Sequence, residues 1–147
     1  MEDAARLAPD VAFSLMVKPV GPVCNLGCSY CYYLRKAGLW GGRTPMMSEA
    51  LLEETTRNYL GSLAESAEAA FDWHGGEPLL RGLPFYEKAV SLQKKYACGR
   101  KVHNTIQTNG TLMDHAWAEF FRREGFLVGL SLDGPQGVHD AMRRSRG

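Results

Sequence analysis

Short apolar runs alternate with amphipathic segments along this chain. Residues 12–17 and 69–73 are short, mostly apolar runs of strand length, and residues 102–108 alternate between two sides with a period of two. Residues 126–132 form a continuous apolar run, which is typical of a parallel strand covered on both faces. The pattern therefore predicts four strands.

Three amphipathic segments separate these strands. Ser48 is placed to cap the first, the second begins near Pro84 and breaks at Gly99, and the third begins near Asp114 and stops at Gly125. Apolar side chains recur along each segment at helical spacing. The order β-α-β-α-β-α-β predicts right-handed crossovers and a parallel sheet, so the fold class is α/β.

Each conspicuous polar or glycine-rich motif comes directly after a predicted strand. The motifs are the cysteine loop GPVCNLGCSYC, HGGEP at 74–78, QTNG at 107–110 and SLDGP at 131–135. In α/β barrels and open α/β sheets the reactive edge lies at the carboxyl ends of the strands. We therefore expect the four motifs to meet in one site.

Composition and charge narrow the classes of partner. The chain has 147 residues, is 45% hydrophobic and 22% charged, and carries a formal net charge of +1. This is ordinary for one globular domain and leaves no basic surplus for nucleic acid. No apolar run approaches the roughly 20 residues of a membrane helix, and the first ten residues lack the apolar stretch of a secretory signal. We expect no nucleic-acid partner, no membrane partner and a cytoplasmic location.

The cysteine loop carries the clearest chemical signal. Cys24, Cys28 and Cys31 form C-x3-C-x2-C within a loop rich in Gly, Pro and Asn. Thiolates are the ligands of iron–sulfur clusters, and ordinary electron-transfer clusters take four of them. Three cysteines would leave one iron open, and an open coordination position distinguishes catalytic metal centres from structural ones. The spacing favours a [4Fe–4S] cluster with one open iron.

Other interpretations of the cysteines are weaker. A zinc site would need Cys98 or a histidine as fourth ligand, but zinc ligands usually come in two spaced pairs and no second pair occurs near Cys98. Inert packing of three thiols is at odds with so polar a loop. The sequence does not favour a nucleotide-binding protein, because it contains neither G-x-G-x-x-G nor G-x4-G-K-[ST], the two glycine-rich phosphate-binding motifs. A non-catalytic module that holds zinc or a cluster remains an alternative.

Taken together, the four motifs resemble those of a known family. C-x3-C-x-aromatic-C after a first strand, with Tyr30 in the aromatic position, is the signature of the radical SAM superfamily, whose members use S-adenosylmethionine (SAM). The segments KPVGPVCNLGCSYCYYL, WHGGEPLLRGLPFYEKAV, QTNGTLMDHAWAEFF and FLVGLSLDGPQGVHDAMRR, in this order, resemble anaerobic sulfatase-maturating enzymes of the branch with a C-terminal SPASM domain. The resemblance runs from about residue 13 to the end.

The resemblance implies a fold and domain organisation. We expect the N-terminal part of a partial TIM-type (β/α)6 barrel, with about four parallel strands and three helices. Residues 1–11 would be a tail and residues 12–147 an incomplete radical SAM core. The C-terminal half of the barrel, the SPASM domain and the family's proposed catalytic carboxylate would lie outside this chain. No catalytic residue can therefore be assigned, and we expect a fragment that is not active alone, in the sense that it does not turn over a sulfatase.

The resemblance also implies roles for individual residues. Cys24, Cys28 and Cys31 would hold the cluster, whose open iron would chelate the amino and carboxylate groups of SAM. The positions that match SAM-binding motifs are Tyr30, Gly75, Gly76, Glu77, Ser131 and Arg143. The GGE segment would meet the methionine amino group, the tyrosine would lie beside the adenine, the serine would bond polar groups of SAM, and the arginine would engage the carboxylate or ribose.

For five further positions the resemblance and the sequence pattern do not imply a single role. His74 and Tyr33 match the substrate side of the family's pocket, with the histidine replacing a more usual glutamine. Gln107 and Asn109 are expected to face the same cavity, although capping of the following turn explains the asparagine equally well. Asp133 follows the last predicted strand and would either orient its loop or contact substrate.

The activity implied by the resemblance is oxidation of a protein side chain. A reduced cluster would cleave SAM, and hydrogen abstraction from a cysteine or serine of a sulfatase would give Cα-formylglycine. The partners would then be a sulfatase polypeptide as substrate and a flavodoxin or ferredoxin as reductant. The alternatives are a radical SAM/SPASM maturase of another peptide and a non-catalytic truncated metal-binding module.

Overall fold

The computed structural model describes residues 13–41, 43 and 45–146, and four strands within these ranges form one parallel sheet. The strands are β1 (Ser14–Val17), β2 (Ala69–Trp73), β3 (Val102–Thr108) and β4 (Leu127–Leu130). They lie side by side in sequence order, each parallel to the next. The predicted parallel α/β sheet is confirmed. The predicted tail over residues 1–11 and the first residue of the predicted first strand lie outside the described residues.

The α-helices that the structure describes are α1 (Tyr32–Ala37), α2 (Glu49–Ser62), α3 (Leu83–Tyr96), α4 (His115–Glu124) and α5 (Gln136–Met142). The three predicted helices are α2, α3 and α4. The Ser48 hydroxyl accepts from Leu51 N at the start of α2, and the Asp114 carboxylate accepts from Trp117 N at the start of α4. Gly125 ends α4 in the left-handed conformation, with φ 68°.

Two short helices were not predicted. Helix α1 has 6 residues and α5 has 7 residues, which is too short for an apolar period to be visible in the sequence. None of the helices in the described part of the chain is long and apolar enough to cross a membrane.

One face of the sheet packs against α2, α3 and α4. Phe71 and Trp73 of β2 and Ile106 of β3 are buried in this core. The Trp73 ring meets the Tyr86 ring edge-on at 5.3 Å between centroids. The opposite face of the sheet carries Asp72 of β2 and Thr105 of β3 and lines an open cavity. The helical side therefore stabilises the sheet and leaves the other face accessible.

The fourth strand differs from its prediction. The apolar run 126–132 was expected to be covered on both faces, but Leu127 is 70% exposed and Leu132 is 67% exposed. The regular strand β4 has only 4 residues and lies at the edge of the sheet. Phe126 and Val128 of this run pack against the core, so within the described residues the run is covered on one face and exposed on the other.

Candidate cofactor site

The four motifs meet at the carboxyl ends of the strands around a cavity of about 210 Å³. All three loop cysteines line it. The other predicted residues that line it are Tyr30, Tyr33, His74, Gly75, Gly76, Gln107, Asn109, Ser131 and Arg143. The structure thus brings together the residues that the sequence singled out, with the exceptions of Glu77 and Asp133, and the individual roles stay predictions.

The cysteine loop leads from β1 into α1. Cys28 is buried, Cys24 and Cys31 are half-buried, and Cys98 is exposed and does not line the cavity. The described residues contain no group of three or more His, Cys, Asp or Glu side chains spaced to hold a single metal ion. An iron–sulfur cubane binds each thiolate at a separate iron, so the cluster prediction does not require such a group.

The HGGEP motif holds the cysteine loop in place. Gly76 N donates to Gly21 O over 2.8 Å, and Glu77 N donates to Val23 O over 2.8 Å. A Cβ atom at Gly76 would lie 1.9 Å from Val23 O, so no larger residue fits this backbone approach. At Gly75 the backbone has φ +121°, which also favours glycine. These glycines are required by the packing of the cysteine loop, whatever contact they make with a ligand.

The carboxylate of Glu77 lies beneath the cavity and does not line it. The residue is fully buried, with 0% exposure. Its Oε1 accepts from Leu79 N and from the Thr108 hydroxyl at 2.9 and 2.8 Å, and its Oε2 accepts from Asn109 N at 2.8 Å. Three donors satisfy this buried carboxylate, which ties the HGGEP motif to the QTNG motif.

Asn109 fulfils both roles that the sequence left open. Its Oδ1 accepts from Thr111 N over 2.9 Å and so caps the turn after β3. Its Nδ2 points to the cysteine loop, 3.7 Å from Cys24 Sγ and 2.9 Å from Asn25 Oδ1. Burial raises the pKa of the Cys24 thiol, and the negative charge of Glu77 raises it further, while hydrogen bonds from Leu26 N and Asn109 act in the opposite direction.

Asp133 joins the loop after β4 to two residues of the cavity. The Tyr30 hydroxyl donates to Asp133 Oδ2 over 2.7 Å, and Arg143 Nη2 donates to Asp133 Oδ1 over 2.9 Å. The hydrogen bonds from Arg143 and Tyr30 lower the pKa of the Asp133 carboxyl below its ordinary value. Because its oxygens are engaged in this way, Asp133 orients the loop, which is one of its two predicted roles.

Sequence reasoning missed how the end of the described chain fastens the cysteine loop. Gly27 N donates to Arg144 O over 2.7 Å, and Ser29 N donates to Met142 O over 3.0 Å. Arg146 N returns a hydrogen bond to Asn25 O over 3.2 Å. These backbone bonds join segments more than a hundred residues apart, and nothing in the local sequence pattern signals them.

His74 lies between the cofactor cavity and a second cavity on the open face of the sheet. Its Nδ1 accepts from Gly75 N over 2.8 Å, which fixes the orientation of the ring. Gln107 borders the same two cavities and donates to the Ser131 hydroxyl over 2.9 Å. The Tyr33 ring lies 6.4 Å from the His74 ring. His74 and Gln107 therefore lie at the border between the two cavities.

Comparison with known proteins assigns the family. Residues 19–147 match the model of the radical SAM superfamily. The chain belongs to this superfamily. Its relatives include a serine-type anaerobic sulfatase-maturating enzyme of Bacteroides thetaiotaomicron, which is 53% identical over 90% of this chain and 32% of its own length. A cysteine-type anaerobic sulfatase-maturating enzyme of Clostridium perfringens is 39% identical over 89% of this chain and 35% of its own length.

A solved structure gives the same result for the fold. Native anSMEcpe with bound AdoMet and the Cp18Cys peptide superimposes with a TM-score of 0.80 at 39% identity. The match covers 90% of this chain and 34% of that one. The resemblance seen in the sequence is confirmed at the level of family and fold. This radical SAM chain spans about a third of the length of the relatives it matches.

Proposed function

We propose that the chain is the cofactor-binding part of a radical SAM enzyme that matures sulfatases. Cys24, Cys28 and Cys31 would hold a [4Fe–4S] cluster, and SAM would bind in the adjoining cavity. The observation that carries this proposal is the convergence of the three cysteines with the other three motifs around one cavity. Both serine-type and cysteine-type sulfatase-maturating relatives support the assignment.

The cavity offers a specific place for a carboxylate. Arg143 lines it, and its Nε is buried with no hydrogen-bond partner among the described residues. Buried hydrogen-bond donors are normally paired with an acceptor. A negatively charged ligand group such as the SAM carboxylate would accept a hydrogen bond from Arg143 Nε. Asp133 holds the same guanidinium through Nη2, at 2.9 Å, so the arginine is oriented before a ligand arrives.

The remaining residues position the cofactors. When bound, the cluster and SAM supply the one-electron chemistry by which a hydrogen atom is taken from the substrate. Tyr30 presents an aromatic face for the adenine. Ser131 presents a hydroxyl that Gln107 already orients, at 2.9 Å. Gly76 donates from its backbone to the cysteine loop, and Gly75 has no Cβ that would meet Gly21 O at 2.7 Å, so both glycines let the loop lie close to the carboxyl end of β2. Glu77 contributes through its main chain and through the buried bonds that fix Asn109.

The substrate we propose is a cysteine or serine of a sulfatase, oxidised to Cα-formylglycine. The open face of the sheet, with Asp72, Thr105 and Leu127 around its cavity, gives a polypeptide access to the cofactor site past His74. A flavodoxin or ferredoxin would supply the electron, and the reaction would take place in the cytoplasm. Segments of the relatives outside the matched third would complete the enzyme, so we expect no sulfatase oxidation by these 147 residues alone.

Anaerobic reconstitution with iron and sulfide tests the proposal. The chain should take up a [4Fe–4S] cluster and, with dithionite and SAM, form 5′-deoxyadenosine. Cys24→Ala, Cys28→Ala and Cys31→Ala should each abolish the product, whereas Cys98→Ala is the matched control and should retain it, because that thiol is exposed and outside the cavity. Uptake of zinc without sulfide would overturn the proposal.

A sulfatase-derived peptide tests the substrate. Because these 147 residues alone are not expected to oxidise a sulfatase, the test uses a hybrid in which they replace the matched third of the Bacteroides thetaiotaomicron relative. With this hybrid, a peptide with the target serine or cysteine should increase the formation of 5′-deoxyadenosine, while the same peptide with alanine at that position should not. Mass spectrometry then reports whether formylglycine forms. An equal response to both peptides would contradict the sulfatase assignment and leave the radical SAM assignment intact.

A further inference from the structure

Cys24 differs from the other two cluster cysteines in its hydrogen bonds. Its Sγ accepts from Leu26 N over 3.3 Å and faces Asn109 Nδ2 at 3.7 Å. Over residues 13–41, 43 and 45–146, no donor to the sulfur of Cys28 or Cys31 is found. One corner of the cluster would therefore be more strongly hydrogen-bonded than the other two.

The orientation of the Asn109 amide is fixed by its neighbours. Oδ1 accepts from both the backbone N–H and the hydroxyl of Thr111, at 2.9 and 2.7 Å, so this atom is the amide oxygen. The amide nitrogen must then face the cysteine loop, where it also donates to Asn25 Oδ1 over 2.9 Å. The Asn109 backbone is anchored as well, because its N–H donates to the buried Glu77 carboxylate over 2.8 Å.

We infer that Asn109 is a positioning residue that tunes the cluster, by donating an N–H···S hydrogen bond to the Cys24 thiolate. The inference rests on the proposed function, since it requires the cluster. A hydrogen bond to a cluster sulfur withdraws negative charge and favours the reduced form, so it raises the reduction potential. The conformation of the turn after β3, which positions Asn109 of the QTNG motif, would thus affect the reduction potential of the cluster.

Two substitutions separate this effect from the stability of the turn. Asn109→Ser retains an oxygen that can accept from Thr111 N, but its hydroxyl is too short to reach Cys24 Sγ. Thr111→Val tests the converse case, in which the turn loses hydrogen bonds but the Asn109 amide still faces the sulfur. It removes the hydroxyl that bonds to Asn109 and Asn25, while the backbone N–H of residue 111 still donates to Asn109 Oδ1.

The measurement is a redox titration of the reconstituted full chain without SAM, followed by EPR of the reduced cluster. Asn109→Ser and Asn109→Ala should both shift the reduction potential to more negative values, and Thr111→Val should leave it unchanged. Unchanged potentials in both Asn109 variants, or an equal shift in Thr111→Val, would overturn the inference while the cluster assignment stands. Failure of the unsubstituted chain to take up a cluster would overturn this inference together with the proposed function.

Discussion

Arg143 donates from Nη2 to Asp133 Oδ1 over 2.9 Å, and this ion pair fixes the loop after β4 to the end of α5. The two side chains are only 14% and 19% exposed, so water weakens the pair less than it weakens a surface pair. Because Asp133 also accepts from the Tyr30 hydroxyl, the ion pair orients two residues of the proposed SAM pocket at once.

Asp133→Asn should therefore weaken SAM binding. Loss of the charge leaves Arg143 without its ionic partner, and we expect the Kd for SAM to rise about tenfold, or ~1.4 kcal/mol. Isothermal titration calorimetry of the cluster-loaded chain measures this. The matched control is Glu119→Gln, which breaks an exposed ion pair with Arg122 on α4 and should leave the Kd unchanged. Equal affinities in all three proteins would contradict the role of Asp133.

Gly76→Ala should prevent formation of the cluster site. The new Cβ would lie 1.9 Å from Val23 O, so the cysteine loop would have to move away from β2. Iron and sulfide analysis after reconstitution should show little cluster. Gly61→Ala serves as the control, because a Cβ there meets nothing within 4 Å. It should keep the cluster and stabilise α2 by up to about 1 kcal/mol. Normal cluster content in Gly76→Ala would refute the packing argument.

Glu77→Gln should affect stability more than SAM affinity. The carboxylate accepts three hydrogen bonds in the interior, and an amide would place a donor against one of these donors. We expect the free energy of unfolding in urea to fall by about 1–3 kcal/mol. The Kd for SAM, measured on the fraction that remains folded, should change by less than about 1.4 kcal/mol, or tenfold. A large loss of affinity without a loss of stability would instead indicate direct contact between the Glu77 carboxylate and SAM.

The contact between α2 and α3 should depend on pH. Hydrogen bonds from Lys95 and Tyr96 lower the pKa of Glu53 from 4.5 to about 2. The pKa of Glu53 is lower in the folded state than in the unfolded state. The stabilisation that the ionised Glu53 carboxylate gives to the fold is therefore present above pH 4.5 and is lost as the pH falls towards 2.

The measurement is urea unfolding of the wild type and Glu53→Gln as a function of pH. At neutral pH the free energy of unfolding should be larger for the wild type than for Glu53→Gln. The difference between the two free energies should decrease as the pH falls through the acid range. Glu54→Gln, one residue further along α2, is the control and should show no such narrowing. A difference that stays constant from pH 7 to pH 2 would exclude the Glu53 contact as its source.

Local sequence signals predicted the parts of the fold that depend on neighbours in the chain. Residues 69–73 and 102–108 are strands at those bounds, because strand periodicity repeats every two residues. Ser48 and Asp114 cap helices as expected, since an N-cap is read from a few residues. The cysteine spacing likewise located the site, because all three thiols come from one loop.

Individual contacts between side chains or backbone groups of distant residues could not be predicted. Tyr30 and Asp133 are 103 positions apart, and no pattern within either segment indicates their hydrogen bond. The same holds for the bonds that fasten residues 142–146 to the cysteine loop. The burial of Glu77 was also unexpected, because its motif suggested a ligand contact and the sequence does not reveal which way a side chain turns.

EPR spectroscopy of the reduced, reconstituted chain before and after the addition of SAM tests the central claim most directly. If Cys24, Cys28 and Cys31 hold a [4Fe–4S] cluster with one open iron, the reduced cluster should give a spectrum that changes when SAM binds to that iron. Cys98→Ala should behave in the same way, because its thiol is exposed and away from the cavity. A cluster spectrum that SAM leaves unaltered, or no cluster at all, would contradict the account.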